Sequence, residues 1–128
     1  MATIFAVTDA KDTDFTAKLV DVHPNGYAVN LCDGIIRARY RESTSTQQLL
    51  TPGEVYEYKI DLWPTSNVFK KGHRIRLDIA SSNFPRFDRN PNTGNKFGED
   101  AETQVANQVI LHDEAHPSHV LLPIIPAL

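Results

Sequence analysis

In Arg74-Ile75-Arg76-Leu77-Asp78-Ile79-Ala80 every second side chain is aliphatic and the residues between are charged. A period of two sends neighbouring side chains to opposite faces of an extended strand, whereas a helix needs 3.6. The same alternation runs through Tyr56, Tyr58, Ile60 and Leu62, set against Val55, Glu57, Lys59 and Asp61. It appears again in Phe15, Ala17 and Leu19, set against Thr16, Lys18 and Val20. Alternation with one apolar face is the mark of antiparallel sheet with a wet side. The pattern predicts Ile75, Leu77, Ile79, Tyr58, Ile60 and Leu19 as core. Turn residues punctuate the runs at Pro24-Asn25-Gly26, Asp33-Gly34, Pro52-Gly53 and Lys71-Gly72, types that accept positive φ or preset a bend. Strands are expected near 3–8, 14–22, 27–31, 35–41, 54–62, 74–80, 106–112 and 119–124. Helix is confined to at most one short turn within 99–106. Many short strands with regular turns make an all-β, antiparallel β-sandwich or jelly roll.

The 128 residues fit one domain spanning 1–128, and 41% hydrophobic content supplies a real core. No linker, repeat or low-complexity tract divides it. The formal net charge of −3 argues against a nucleic-acid or anionic-membrane partner, both of which select concentrated positive surface. Cys32 is the single cysteine, so no intrachain disulfide forms and a reducing, cytoplasmic setting is favoured. No apolar run reaches the roughly 20 residues that span a bilayer, and no signal peptide is visible. Met1-Ala2-Thr3-Ile4-Phe5 enters directly into a strand. Such a start reads as a truncated frame, so the absent signal peptide says nothing of where a parent protein resides.

The motifs that carry chemistry are missing or incomplete. Ser43, Ser45, Ser66, Ser81, Ser82 and Ser118 all lack the Gly-x-Ser-x-Gly frame that holds a nucleophile on a tight turn, so no catalytic residue is expected. His112, His116 and His119 stand beside Asp113 and Glu114, which are zinc-type ligands. Their spacing follows no ligand pattern and Pro117 interrupts it, so a polar connection between strands is expected. His23 and His73 are read as solvated turn residues. Asp88-Arg89-Asn90-Pro91-Asn92-Thr93-Gly94 offers alternate oxygens with Glu99 at the twelfth position, like a calcium loop. Its glycine comes one place late and Lys96 intrudes, which leaves a loop tied by Asx-type hydrogen bonds. No metal and no cofactor are therefore expected. Arg37, Arg39 and Arg41 share one strand face and are expected to pair across strands with Glu57, Asp61 and Asp78 on a solvated or domain-facing surface.

The irregular segment 81–98 is the longest without periodicity, and such loops are usually functional or packed on something. It contains Phe84, Phe87 and Phe97, whose exposure would make an apolar patch of the kind that marks a contact. Phe84, Pro85, Arg86, Phe87, Asp88, Arg89 and Phe97 are the expected domain interface, with the charged residues as its polar rim.

The run Asp12-Thr13-Asp14-Phe15-Thr16-Ala17-Lys18-Leu19-Val20-Asp21-Val22 is a familiar one. Cys32-Asp33-Gly34-Ile35, Arg39-Tyr40-Arg41-Glu42 and Thr65-Ser66-Asn67-Val68-Phe69 follow in order. Then come Gly72-His73-Arg74-Ile75, Ser81-Ser82-Asn83-Phe84-Pro85, Asp88-Arg89-Asn90, Asn92-Thr93-Gly94, His116-Pro117-Ser118-His119 and Leu122-Pro123-Ile124-Ile125. Together they cover nearly the whole chain. The sequence resembles the C-terminal non-catalytic domain of cocaine-esterase-like serine hydrolases, relatives of X-Pro dipeptidyl-peptidases and α-amino-acid ester hydrolases. The resemblance implies a galactose-binding-like jelly roll packed on an α/β-hydrolase domain, where it helps shape the substrate cleft and supports a possible homodimer. That domain carries the catalytic serine, histidine and aspartate, and no residue here matches them. The family's domain begins well before Met1, so its opening strands are expected to be missing. The alternative is a stand-alone carbohydrate-binding module using Trp63 and the 81–98 loop. An enzyme in its own right is disfavoured by the missing nucleophile frame.

Overall fold

Strand β2 (Asp14–Val22) lies at the centre of one sheet, bonded to β3 (Ala28–Arg37) on one side and β5 (Arg74–Ala80) on the other. In the second sheet β1 (Ala2–Thr8) is central: β4 (Val55–Ile60) pairs along one edge, and β6 (Gln108–Leu111) and β7 (His119–Val120) pair with it as well. Every pairing is antiparallel. The computed structural model describes residues 1–99 and 101–126. Among them there is no α-helix, only a 3-10 turn at Ala38–Tyr40, and no helix is long and apolar enough to cross a membrane. The chain is an all-β, two-sheet antiparallel sandwich.

The alternation in the sequence builds the space between the sheets. Ile4 and Ala6 from β1, Phe15, Ala17 and Leu19 from β2, and Tyr58 and Ile60 from β4 form one buried cluster. Phe15 and Tyr58 meet across the sheets with ring centroids 4.7 Å apart, a separation at which aromatic pairs attract. Burial pushes the Tyr58 phenol well above its ordinary range.

Three expectations need correction. The runs 27–31 and 35–41 are one strand followed by a 3-10 turn, not two strands, and Asp33-Gly34 is not a turn. Gly34 pairs with Ala17 in mid-strand. Its lack of a side chain is required because a Cβ there would come 1.8 Å from the carbonyl oxygen of Asp61. The chain has put glycine at a close backbone approach rather than a bend. Second, Ile75 is not core: it is 53% exposed, while Leu77 and Ile79 are half-buried. Strand β4 packs over β3 and β2, so the inward face of the outer strand β5 has little opposite it. Third, residues 99 and 101–106 form no helical turn, and Asp100 lies outside the described residues. The remaining turn signals hold, with Gly26, Gly53 and Gly72 all near φ +87, where glycine is favoured.

Candidate functional site

Strand β2 is entered through Asp12-Thr13-Asp14, all buried. A buried carboxylate needs a cation or several donors, and each aspartate has both. Arg39 donates from Nε to Asp12 Oδ2 at 2.7 Å and from its backbone nitrogen to Asp12 Oδ1 at 3.0 Å. Arg37 grips both oxygens of Asp14 from Nε and Nη2 at 2.9 Å, the two-pronged geometry that suits a guanidinium. The hydrogen bonds to Asp14 hold the Arg37 guanidinium above its ordinary value. The register that sets Asp14 opposite Arg37 makes this pairing possible. The expected partners of the arginines, Glu57, Asp61 and Asp78, are not the ones used. Arg39 is buried rather than solvated, and Arg41 donates to the carbonyls of Ala38 and Gln48.

The 81–98 loop is attached to this charged cluster. Asn90 is buried, and its Nδ2 donates to Asp12 Oδ2 at 2.9 Å and to Asp14 Oδ1 at 2.8 Å. Arg39 Nη2 donates to the carbonyl of Asn95 at 3.0 Å. A second anchor is buried Asp33, which accepts from Asn83 Nδ2 at 3.0 Å and pairs with Arg86 Nη1 at 3.0 Å. Asx-type bonds fix the path between anchors: Asn92 N donates to Asn90 Oδ1 at 2.9 Å, and Asn95 N to Thr93 Oγ1 at 3.2 Å. Glu99, the twelfth position of the calcium-like run, pairs with Lys96.

The loop's outer side mixes aromatic and charged residues, where its inner side is polar. Phe84 is 72% exposed and Phe97 40%. Pro85, Arg86, Asp88 and Arg89 are exposed and Phe87 is half-buried. The Arg37 guanidinium lies 4.0 Å over the Phe97 ring, so the charged cluster also props this aromatic. Phe84, Asp88, Arg89, Pro91, Phe97 and Thr103 contribute to the wall of an open groove of about 800 Å³. Beyond the loop, Trp63 is 70% exposed at φ 62, a left-handed conformation unusual for a bulky residue. The Trp63 backbone nitrogen donates to Asp61 Oδ1 at 2.9 Å.

Of the histidines, His116 hydrogen-bonds Asp113 at 2.9 Å and lies edge-on to Phe5. His119 Nδ1 lies 2.7 Å from the carbonyl of Pro117. This is the expected polar connection between β6 and β7. His23 and His73 are not free turn residues: both are half-buried, and His73 Nδ1 lies 2.8 Å from Oδ1 of buried Asp21. Cys32 is half-buried, and burial pushes its thiol up, away from the reactive thiolate.

Sequence reasoning singled out the 81–98 loop but missed Asp12, Asp14, Asn90 and Arg39 as its foundation. The signal was present as two acids two apart and two arginines two apart. It becomes readable only once the register of β2 on β3 is known.

Residues 1–121 match the family model of the X-Pro dipeptidyl-peptidase C-terminal non-catalytic domain. Cocaine esterase from Rhodococcus sp. (strain MB1 Bresler) is 51% identical over 126 residues, 97% of this chain and 22% of that protein. Among solved structures, an aminopeptidase from a marine sediment archaeon, Thaumarchaeota archaeon, superposes with a TM-score of 0.85 at 35% identity, over 91% of this chain and 21% of that one. An α-amino acid ester hydrolase superposes with a TM-score of 0.76 at 31% identity, over 92% of this chain and 22% of that one. The chain thus spans about a fifth of the length of these relatives.

Proposed function

The chain belongs to the family of X-Pro dipeptidyl-peptidase C-terminal non-catalytic domains, and on that premise we propose that it packs, through the outer side of the 81–98 loop, on the α/β-hydrolase domain of a serine hydrolase. There it covers the catalytic domain and helps to shape its substrate cleft. One observation carries this reading: Phe84 and Phe97 point outward from a loop whose polar residues Asn83 and Asn90 are spent on internal anchors. Apolar surface held outward by a rigid frame is disposed for contact with another surface. Exposed Arg86, Asp88 and Arg89 give that contact a polar rim.

The reading is tested in the full-length hydrolase. Phe84→Asp places a charge in the proposed contact. It should lower the thermal midpoint of the full-length protein and raise KM, while leaving the unfolding of this chain alone nearly unchanged. An equal effect in both would overturn the contact. The chain by itself should not hydrolyse an activated ester, because turnover needs an activated nucleophile and an oxyanion site. A nitrophenol burst abolished by a serine-directed inhibitor would contradict that.

A further inference from the structure

Four aspartates of this fold, Asp12, Asp14, Asp21 and Asp33, are buried. Asp12 has Arg39, Asp14 has Arg37 and Asp33 has Arg86. Asp21 has no guanidinium or ammonium among the described residues; its partner is the imidazole of His73 at 2.8 Å. An ionised carboxylate offers about four acceptor positions and is costly to bury without a matching cation. Asp21 is therefore the one buried acid of this group whose cation is not supplied by an arginine.

The surroundings of Asp21 supply metal ligands. His23 lies two residues further along the same extended segment, so it falls on the same face as Asp21. Asp21 is set opposite Ile75 by the strand register, and His73 lies two residues before Ile75 on that face. The three side chains converge as this geometry requires, each with a ligand atom within 4.8 Å of the others. The His23 and His73 rings stack with centroids 4.3 Å apart. The backbone at both histidines is pinned. His23 N donates to the carbonyl of Tyr27 at 2.8 Å and its own carbonyl accepts from Gly26 at 2.9 Å, while His73 N donates to the carbonyl of Lys70 at 3.0 Å.

The geometry points to a divalent transition-metal site, best suited to zinc, made by Asp21, His23 and His73. Two imidazoles and one carboxylate are a borderline donor set, favouring zinc over the all-oxygen cages of calcium and magnesium. Zinc bonds of about 2.0–2.2 Å place neighbouring ligand atoms roughly 3.4 Å apart. The three ligand atoms lie within 4.8 Å of one another, and binding draws them in to that spacing. The ion binds the carboxylate and the neutral imidazoles, and any proton on a ligating nitrogen leaves to solvent. The ion cross-links the end of β2 to the start of β5 and keeps a fourth position open for water or an incoming group.

The test is titration of the full chain with zinc chloride, followed through the imidazole ring signals by NMR, and with cobalt chloride, followed by visible absorption. The expected result is saturable binding of one equivalent. The ring shifts should be confined to His23 and His73, with the intense d–d bands of a four-coordinate cobalt ion. His23→Gln, at a half-exposed position, and Asp21→Asn should abolish saturation. His116→Ala, in the other histidine group, should leave it intact. No saturable binding by the unaltered chain would overturn the site, as would shifts centred on His112, His116 and His119. So would undiminished binding by a folded His23→Gln variant.

Discussion

In β2 the side chains of Phe15, Ala17 and Leu19 point into the space between the sheets and are at most 2% exposed. In the 81–98 loop the buried side chain is that of Asn90, at 6%, and Phe84 stands 72% exposed. The strand hides its apolar groups and the loop hides its amide. The strand's arrangement gains from removing hydrocarbon from water. The loop's gains from satisfying buried carboxylates, and it leaves its hydrocarbon available. A segment anchored inward through its amides while Phe84 stands in water has aromatic surface to spare, which is why the proposed function assigns it a contact.

The contrast can be broken at several strengths. Phe15→Ala should cost about 3–5 kcal/mol in denaturant unfolding of the chain, as deletion of a buried aromatic does. A loss below about 1 kcal/mol would mean that the sheets do not close over it. Asp12→Ala strips Arg39 of its buried counter-charge and should also cost about 3–5 kcal/mol. Replacing the pair together should cost less than the sum, a coupling that a double-mutant cycle reads directly. Asn90→Ala leaves two carboxylates short of a donor and should cost about 1–3 kcal/mol. The same variant should speed hydrogen exchange at Asn92 and Asn95, whose amides are bonded within the loop, while leaving β2 protected.

Smaller effects follow on the periphery. Leu77→Ala on the half-covered strand β5 should cost less than Phe15→Ala, about 1–2 kcal/mol, and exposed Ile75→Ala less than about 0.5 kcal/mol. The reverse order would mean that β5 has an opposing layer. At Asp113 the hydrogen bond from His116 holds the carboxyl below the ordinary 3.8 of an aspartate. A lowered folded-state value gives a contribution present above 3.8 and lost as pH falls through the folded midpoint. Carboxyl titration by NMR should show this midpoint below 3.8, and His116→Ala should return it toward the ordinary value.

Much of the sheet was legible because alternation is a local property. Leu19, Tyr58 and Ile60 were readable as core from their own neighbours. Ile75 was not, since its exposure depends on what lies opposite β5, and no local pattern records that. Gly34 misled for a similar reason: glycine serves both turns and close approaches, and only the position of Asp61 distinguishes them. The length and irregularity of the 81–98 loop were legible from its lack of periodicity. Its anchors required knowing that Asp12 and Asp14 lie beside Arg39 and Arg37 and beneath Asn90, contacts between residues far apart in sequence.

The central claim is that 81–98 is a preformed contact surface for the catalytic domain. Hydrogen exchange of that segment, compared between this chain alone and the full-length hydrolase, tests it most directly. Amides around Phe84 and Phe97 should exchange quickly in the chain alone and become strongly protected in the full-length protein, while β2 amides stay equally protected in both. Equal exchange of 81–98 in the two contexts would contradict the account.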